Sequence, residues 1–441
     1  MAEDLPNPIL TEPELVEPVG ETPTVSLEAP KGRKAAATFI FLTVALDMLA
    51  LGMIAPVLPK LIENFLHGDA GRAAQMIGIF ATVFAAIQFV FSPVLGALSD
   101  KIGRRPVVLM SNFGLGADYV VMALSPTLPW LFIGRIISGL TSSSIPTAMA
   151  YMADVTPQEK RAAAFGMLNA AFGIGFVLGP ALGGTLGNVN PRLPFWIAAG
   201  LSLLNGMYGL FVLPESLKPE NRTQRINWKR ANPIGSLSLF TRVKGLLPLA
   251  VLLTLGYIAQ TSLMQVYILY IYTRYGWTVR TGGLSLTAVG VVTGLYGAML
   301  VKPAVAKLGE RKAIMVGYIG GALGYWGFGF SKTGLLLWAA IPFLNLMGIA
   351  WPSAQSIMSR HTPANEQGLL QGAVNSLRGV AGLIGPLLFT WVFQNSLGAK
   401  PIFPSLGSPF YLAAVLILLG LFIASTALKS DAKTTAVTSA G

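Results

Sequence analysis

Apolar runs of membrane-crossing length recur along this chain from Thr38 to Leu428, and no other feature constrains its fold as strongly. Each run, at about 20 residues, can cross roughly 30 Å of hydrocarbon as a helix. Only 11% of the residues are charged and 53% are hydrophobic, where a soluble domain carries about 25% charge. The runs are continuous rather than alternating. That excludes a closed strand barrel and leaves helices, which satisfy their own backbone polar groups. Twelve spans are expected at roughly 38–60, 76–98, 106–125, 129–152, 162–186, 194–213, 246–272, 282–306, 313–331, 334–357, 367–393 and 409–428. The expected fold is an all-α polytopic membrane protein.

A net charge of +12 raises the question of a nucleic-acid partner, and topology answers it. With both termini cytoplasmic, 22 of the 31 Lys and Arg residues fall in cytoplasmic segments and 7 in external loops. This is the positive-inside bias, so the lipid bilayer is the expected partner and no nucleic acid is implied. There are no cysteines, and the two histidines, His67 and His361, lie near loops; no metal site and no cofactor are expected. The N-terminus shows no basic stretch leading into an apolar core with a cleavage site. Residues 1–30 hold seven acids and no Lys or Arg, so 1–35 reads as a disordered cytoplasmic tail.

The chain repeats itself at an offset of 206 residues. Met152, Thr156 and Pro157 recur as Met358, Thr362 and Pro363. Gly166 and Asn169 recur as Gly372 and Asn375, Gly179-Pro180 as Gly385-Pro386, and Gly103 and Arg105 as Gly309 and Arg311. Two six-helix halves follow, 36–213 and 246–428. A polar linker at 214–245 joins them, and 429–441 forms a cytoplasmic tail. Halves related by an axis along the membrane normal form a rocking transporter with its substrate near the midplane.

Charges inside the spans are costly, at least about 2.5–3.5 kcal/mol each, and so are functional or paired. Asp47 lies near the middle of span 1, Asp118 in span 3 and Arg135 in span 4. Spans 3 and 4 are antiparallel around Ser125-Pro126-Thr127, which puts Asp118 and Arg135 at similar depth. They are read either as a structural ion pair or as a proton-linked one. A carboxylate in low dielectric takes up a proton more readily than one in water, so Asp47, alone or with Asp118, is the candidate proton carrier. Arg378 in span 11 is the deep charge of the second half; it either binds an anionic group of the substrate or holds a carboxylate across the cavity. Gln88, Gln260, Gln265, Asn345 and Gln355 either glue helices together or line the cavity. Tyr257, Tyr267 and Phe172 are candidate aromatic walls.

Residues 96–109, Gly-Ala-Leu-Ser-Asp-Lys-Ile-Gly-Arg-Arg-Pro-Val-Val-Leu, place a short charged loop between two membrane-length helices. Gly96 and Gly103 permit a tight turn. Asp100, Arg104 and Arg105, with Asp154, Glu159 and Arg161 at the foot of span 4, form a candidate conformational latch. The copy at 302–312 has Ala306 in the place of Asp100 and Glu310 in the place of Arg104, so the latch is expected mainly in the first half. In span 5, Gly175, Gly179, Pro180, Gly183 and Gly184 follow the pattern G-x-x-x-G-P-x-x-G-G. It allows a close helix crossing and a bend, and makes a candidate hinge or seal between the halves.

These residues together resemble the drug:proton antiporter branch of the major facilitator superfamily, specifically the bacterial tetracycline-efflux type. The loop has the form G-x-L-x-D-[RK]-x-G-R-[RK], and the likeness runs from Thr38 to Leu428. It takes in Leu46-Asp47, Pro56-Val57-Leu58-Pro59, Asp118-Tyr119, Gly134-Arg135, the span 5 glycines and Gln371-Gly372 through Thr390. The resemblance implies that the matching carboxylates Asp47 and Asp118, and the cations Arg104 and Arg135, matter for transport. Exporters of metal-chelated tetracycline in that family carry a histidine in span 8, where Thr293 stands here. They also carry an aspartate in span 9, where Gly320-Gly321 stands. A cationic metal–drug complex therefore loses two expected partners, and a substrate other than that chelate is implied.

The expected function is proton-driven export of a small organic molecule by a monomer in a bacterial inner membrane. No G-x-x-x-x-G-K-[ST] loop for ATP is present, and no catalytic motif points to an enzyme. The alternatives are a symporter or facilitator importing an organic acid or other nutrient, with Arg378 as anion ligand, and a membrane sensor built on the transporter scaffold.

Overall fold

The computed structural model describes residues 31–142, 144–223, 233–243, 245–363, 366–398 and 400–438. Ten helical stretches are long and apolar enough to cross a membrane. One of them, Val279–Phe330, spans 52 residues. Gly309 interrupts it with φ 73° and ψ 157°, a backbone conformation that glycine adopts without the clash a Cβ would bring, and so divides it into two spans. A further span is described as Leu128–Thr141 and Ser144–Val155, which brings the described total to twelve. In chain order these are α1 (Lys31–Ile54, resumed as Leu58–Phe65), α2 (Ala70–Ile102), α3 (Arg104–Leu124) and α4 (Leu128–Thr141 and Ser144–Val155). Then come α5 (Arg161–Val189), α6 (Leu193–Val212), α7 (Leu246–Gln265 and Tyr267–Tyr275) and α8 (Val279–Leu295 with a π turn at Tyr296–Leu300). After Gly309 come α9, ending at Phe330, α10 (Gly334–Asn345 and Met347–His361), α11 (Gln367–Gln394) and α12 (Ser408–Thr438).

Local chemistry sets the ends of these helices. Asp69 caps α2 by accepting from the Arg72 amide at 2.9 Å, and Pro129 and Pro194 open α4 and α6 where no amide donor is needed. Helices α1 and α12 extend past the expected limits of the two halves, to Lys31 and Thr438. The acidic tail at 1–30 lies outside the described residues, as do residues 224–232 and 244 of the linker; within the linker, Pro233–Ser236 and Leu239–Arg242 are short helical turns.

Two interfaces join the halves, α2 against α11 and α5 against α8, and the internal repeat exchanges one for the other. Gly78 packs against Thr390 and Gly379 against the Phe89 ring. The Thr82 hydroxyl donates to the Leu383 carbonyl at 3.4 Å, and the Thr287 hydroxyl donates to the Val177 carbonyl at 3.0 Å. These contacts cluster toward the end of the molecule that carries the 65–70 and 275–279 loops, where the Tyr272 hydroxyl also reaches the Pro56 carbonyl at 2.8 Å. Toward the end that carries the 96–105 loop the same helices diverge. A Cβ at Gly96, Gly166, Gly173, Gly294 or Gly297 would meet no neighbour within 4 Å. The halves therefore close over one end and open at the other.

Candidate functional site

A cavity of about 470 Å³ lies among the helices of the first half, with Gln265 of the second half in its lining. Asp47, Met48, Leu51 and Ile54 of α1, Phe80, Phe84 and Gln88 of α2, and Tyr119 of α3 line it, with Arg135 and Ser138 of α4, Phe172 of α5 and Gln265 of α7. Most of the wall is apolar, so the polar groups that interrupt it are few and fixed. Asp47 is only 4% exposed. The Gln88 amide donates to the Ser142 hydroxyl at 2.8 Å, which orients both groups on the wall.

Asp118 and Arg135, placed at equal depth by the turn between their helices, face each other. The Arg135 guanidinium is ion-paired with Asp118, whose side chain is fully buried. Gly134 makes the approach possible, since a Cβ there would stand 2.5 Å from the Asp118 carboxylate. Asp118 thus stands behind the cavity wall and Arg135 in it.

Other candidates lie elsewhere. Gln260 and Gln355 are half-buried on α7 and α10 and do not line this cavity. The Thr293 hydroxyl bonds the Asn345 side chain at 2.5 Å, joining α8 to α10. At Gly321 a Cβ would meet the Met347 side chain at 3.2 Å, so an aspartate there would have to displace the methionine on α10. Tyr267 is packed in the core against Phe328, with ring centroids 5.6 Å apart. Arg378 is exposed, with its guanidinium carbon 5.0 Å from the centroid of the Tyr257 ring.

The loop candidates divide as well. Arg104 pairs with Asp100 on its own loop and, through Nε at 3.2 Å, with Asp154 at the foot of α4. Arg105 instead donates to the Leu210 carbonyl at 2.6 Å. Gly96 sits a turn back on α2, where the Ser99 hydroxyl donates to its carbonyl at 3.0 Å. Arg161 donates to the Thr156 carbonyl at 3.4 Å, and among the described residues neither it nor Glu159 forms an ion pair with the cluster. Every described bond of the cluster lies within the first half and the start of the linker. In this open arrangement it therefore braces one half rather than latching two.

Two partners escaped the sequence reading. Glu215, just after α6, accepts from the backbone amides of Arg104 at 2.8 Å and Arg105 at 3.2 Å, placing a carboxylate on the N-terminus of α3 where the helix dipole favours it. Gly103 allows this twice over: its φ is 110°, and a Cβ would collide with the Glu215 carboxylate. No motif marks Glu215 in the sequence. The second is Arg360, paired with Glu310. At the 206-residue offset this pair repeats Arg104–Asp154 with its charges exchanged, a signal legible once both positions are compared. The Arg360 hydrogen bonds hold the Glu310 carboxyl below its ordinary range.

In the α5 motif, Gly175, Gly179 and Gly183 pack on α1 within the first half; a Cβ at Gly179 would lie 2.7 Å from the Gly52 α-carbon. Gly184 alone faces α8, where a Cβ would lie 2.9 Å from the Gly283 α-carbon, and the Pro180 carbonyl meets Gly283 on the same side. The motif therefore serves two contacts, and only its last part forms the seal between the halves.

Two halves of membrane-length helices, with a cavity that carries buried charge, define a membrane transporter. The chain belongs to the Major Facilitator Superfamily, whose sequence profile matches residues 40–386 and 249–440. It is 38% identical to the class C tetracycline resistance protein of Escherichia coli over 360 residues, 80% of this chain and 88% of that protein. Against the class B protein of Escherichia coli it is 32% identical over 400 residues, 89% of this chain and 97% of the relative. The solved nucleoside transporter NupG shares the fold with a TM-score of 0.73 at 13% identity, covering 91% of this chain and all of that one.

Proposed function

We propose that this transporter exports a small amphipathic organic molecule in exchange for protons, by alternating access to its cavity. The observation that carries the reading is Asp47, an acid at 4% exposure in the cavity wall, with the Asp118–Arg135 pair set into the neighbouring helices. An acid so placed can hold either a proton or the cationic part of a substrate, and exclusive occupancy is what exchange requires. A proton entering down about 100 mV supplies roughly 2.3 kcal/mol per charge. The tetracycline resistance relatives support export of a drug-like molecule. Thr293 and the packed Gly321 argue against a metal chelate as the cargo.

In this reading the protein is a monomer of the bacterial inner membrane with both termini cytoplasmic. It is not an enzyme, and it uses no cofactor or nucleic acid. The 96–105 loop then lies in the cytoplasm and the described state faces inward. Residues 36–213 and 246–428 move as two bodies about the 214–245 linker. Import of an organic acid by symport is the second reading, favoured by Arg378, to which no described carboxylate is paired.

Proteoliposomes with an imposed pH gradient test both. Gradient-driven efflux that Asp47→Asn reduces tenfold or more supports exchange. Uptake with the proton supports symport, and flux indifferent to the gradient and to Asp47→Asn overturns both.

A further inference from the structure

A second recess, of about 440 Å³, lies on the outer side of the contact between α2 and α11. Gln75 and Ile79 of α2 line it, with Leu387, Leu388, Trp391 and Gln394 of α11. Gln75 and Ile79 share one face of α2, since four residues make just over one turn. Ile77, Phe80, Phe84 and Gln88, which line the cavity, lie on the opposite face. The recess therefore opens away from the cavity, toward the bilayer, where Trp391 is 51% exposed and Leu387 44%. It crosses the boundary between the halves at the end where they meet. Gly78 packs on Thr390 behind it, and at its rim a Cβ on Gly71 would lie 3.6 Å from the Gln394 side chain.

The recess is graded in polarity. Arg72, Gln75 and Ile79 follow one another near the start of α2. At 1.5 Å per residue, Gln75 lies about 4.5 Å further along the helix than Arg72, and Ile79 about 10 Å further. Gln394 is the last residue of α11, so both amides sit at the rim and the aliphatic side chains form the deeper wall. Among the described residues, neither glutamine side chain has a hydrogen-bond partner and no carboxylate is ion-paired with Arg72; Asp69 accepts from its backbone amide instead. Polar groups without partners are costly where they face hydrocarbon. Trp391 stands edge-on to Phe403, with ring centroids 5.6 Å apart, and tryptophan favours the membrane–water boundary.

We propose that this recess binds one glycerophospholipid from the leaflet at that end of the molecule. An acyl chain lies against Ile79, Leu387 and Leu388, the ester oxygens accept from the Gln75 and Gln394 amides, and the phosphate pairs with the Arg72 guanidinium. Because the lipid touches both α2 and α11, it fastens the halves at the end where they are closed, and its binding favours that arrangement. Neither the cargo nor the direction of its transport enters this assignment.

Native mass spectrometry of the purified full-length protein, delipidated in detergent and titrated with lipid, tests the site. The probes are dioleoylphosphatidylglycerol and dioleoylglycerol, which has the same chains and esters without the phosphate. The wild type is expected to bind one phosphatidylglycerol at least tenfold more tightly than dioleoylglycerol. Arg72→Gln should erase that preference, and Gln75→Leu or Gln394→Leu should weaken binding of both lipids severalfold. Lys332 is another exposed cation at the same end, next to Ser331, whose carbonyl accepts from Arg274; Lys332→Gln should change nothing. Equal binding of the two lipids by the wild type overturns the proposal. So does a preference that survives Arg72→Gln, or an equal loss in Lys332→Gln, either of which would leave only the general lipid annulus. Arg72, Gln75 and Lys332 are exposed, so their variants keep the fold; should Gln394→Leu fail to fold, Gln75→Leu decides for the amides.

Discussion

Asp47 and Asp118 are both acids at membrane depth, but their surroundings set them to different tasks. Asp118 is enclosed and ion-paired with Arg135, whereas Asp47 lines open volume. Removing one member of a buried pair leaves the other charge uncompensated, at about 3–5 kcal/mol. Asp118→Asn should therefore lower the melting temperature in detergent far more than Asp47→Asn does. The double variant Asp118→Leu, Arg135→Met should recover most of that stability, because an apolar pair of similar volume needs no compensation. If the double variant melts as low as Asp118→Asn, the ion pair is not what stabilises this part of the first half. Much of this pairing was legible in the sequence: the short turn at Ser125 fixed the common depth of the two residues. That they face each other was not legible, because rotation about a helix axis depends on contacts such as that of Gly134 with the Asp118 carboxylate. Arg378 was legible as a deep charge but not as a neighbour of Tyr257, since the two are joined only by the packing of α7 on α11.

The N-terminus of α3 depends on a residue more than a hundred positions away. Glu215 accepts from two of the first amides of the helix, and loss of such a cap costs about 0.5–2 kcal/mol. Glu215→Ala should lower thermal stability by an amount in that range, while Glu215→Gln, which keeps an acceptor oxygen, should lose less. Equal melting of Glu215→Ala and wild type would show that the contact contributes nothing. At the matching place in the second half, Glu310 and Arg360 reverse the order of charge found in Arg104 and Asp154. Arg360→Glu should weaken the junction of α9 and α10 by bringing two acids together, and adding Glu310→Arg should restore it. Arg360 is half-exposed, so the change is of the order of 1 kcal/mol, measurable as a melting difference between single and double variants. Because the Glu310 carboxyl is held below its ordinary range, this pair is intact at neutral pH and its contribution disappears only as acid protonates the carboxylate. The helices and their repeat were readable from hydropathy and spacing. The Glu215 cap was not, because the contact is made by the fold and the linker carries no periodic pattern.

At the scale of the whole molecule, the halves meet over one end through glycine-lined crossings and stand apart at the other. Alternating access requires the first contact to open whenever the second closes. The α5–α8 crossing provides a direct test. A Cβ at Gly290 would lie 3.5 Å from the α-carbon of Val177, so side chains at these two positions approach closely across the crossing. The chain contains no cysteine of its own, so the pair Val177→Cys, Gly290→Cys can be introduced without background thiols. Oxidation should hold the halves together at this end and stop flux in proteoliposomes, and a reductant should restore it. Each single-cysteine variant should be insensitive to both treatments, which separates the cross-link from any damage caused by substitution at a tight crossing. Full flux through the oxidised protein would mean that this contact never opens during transport.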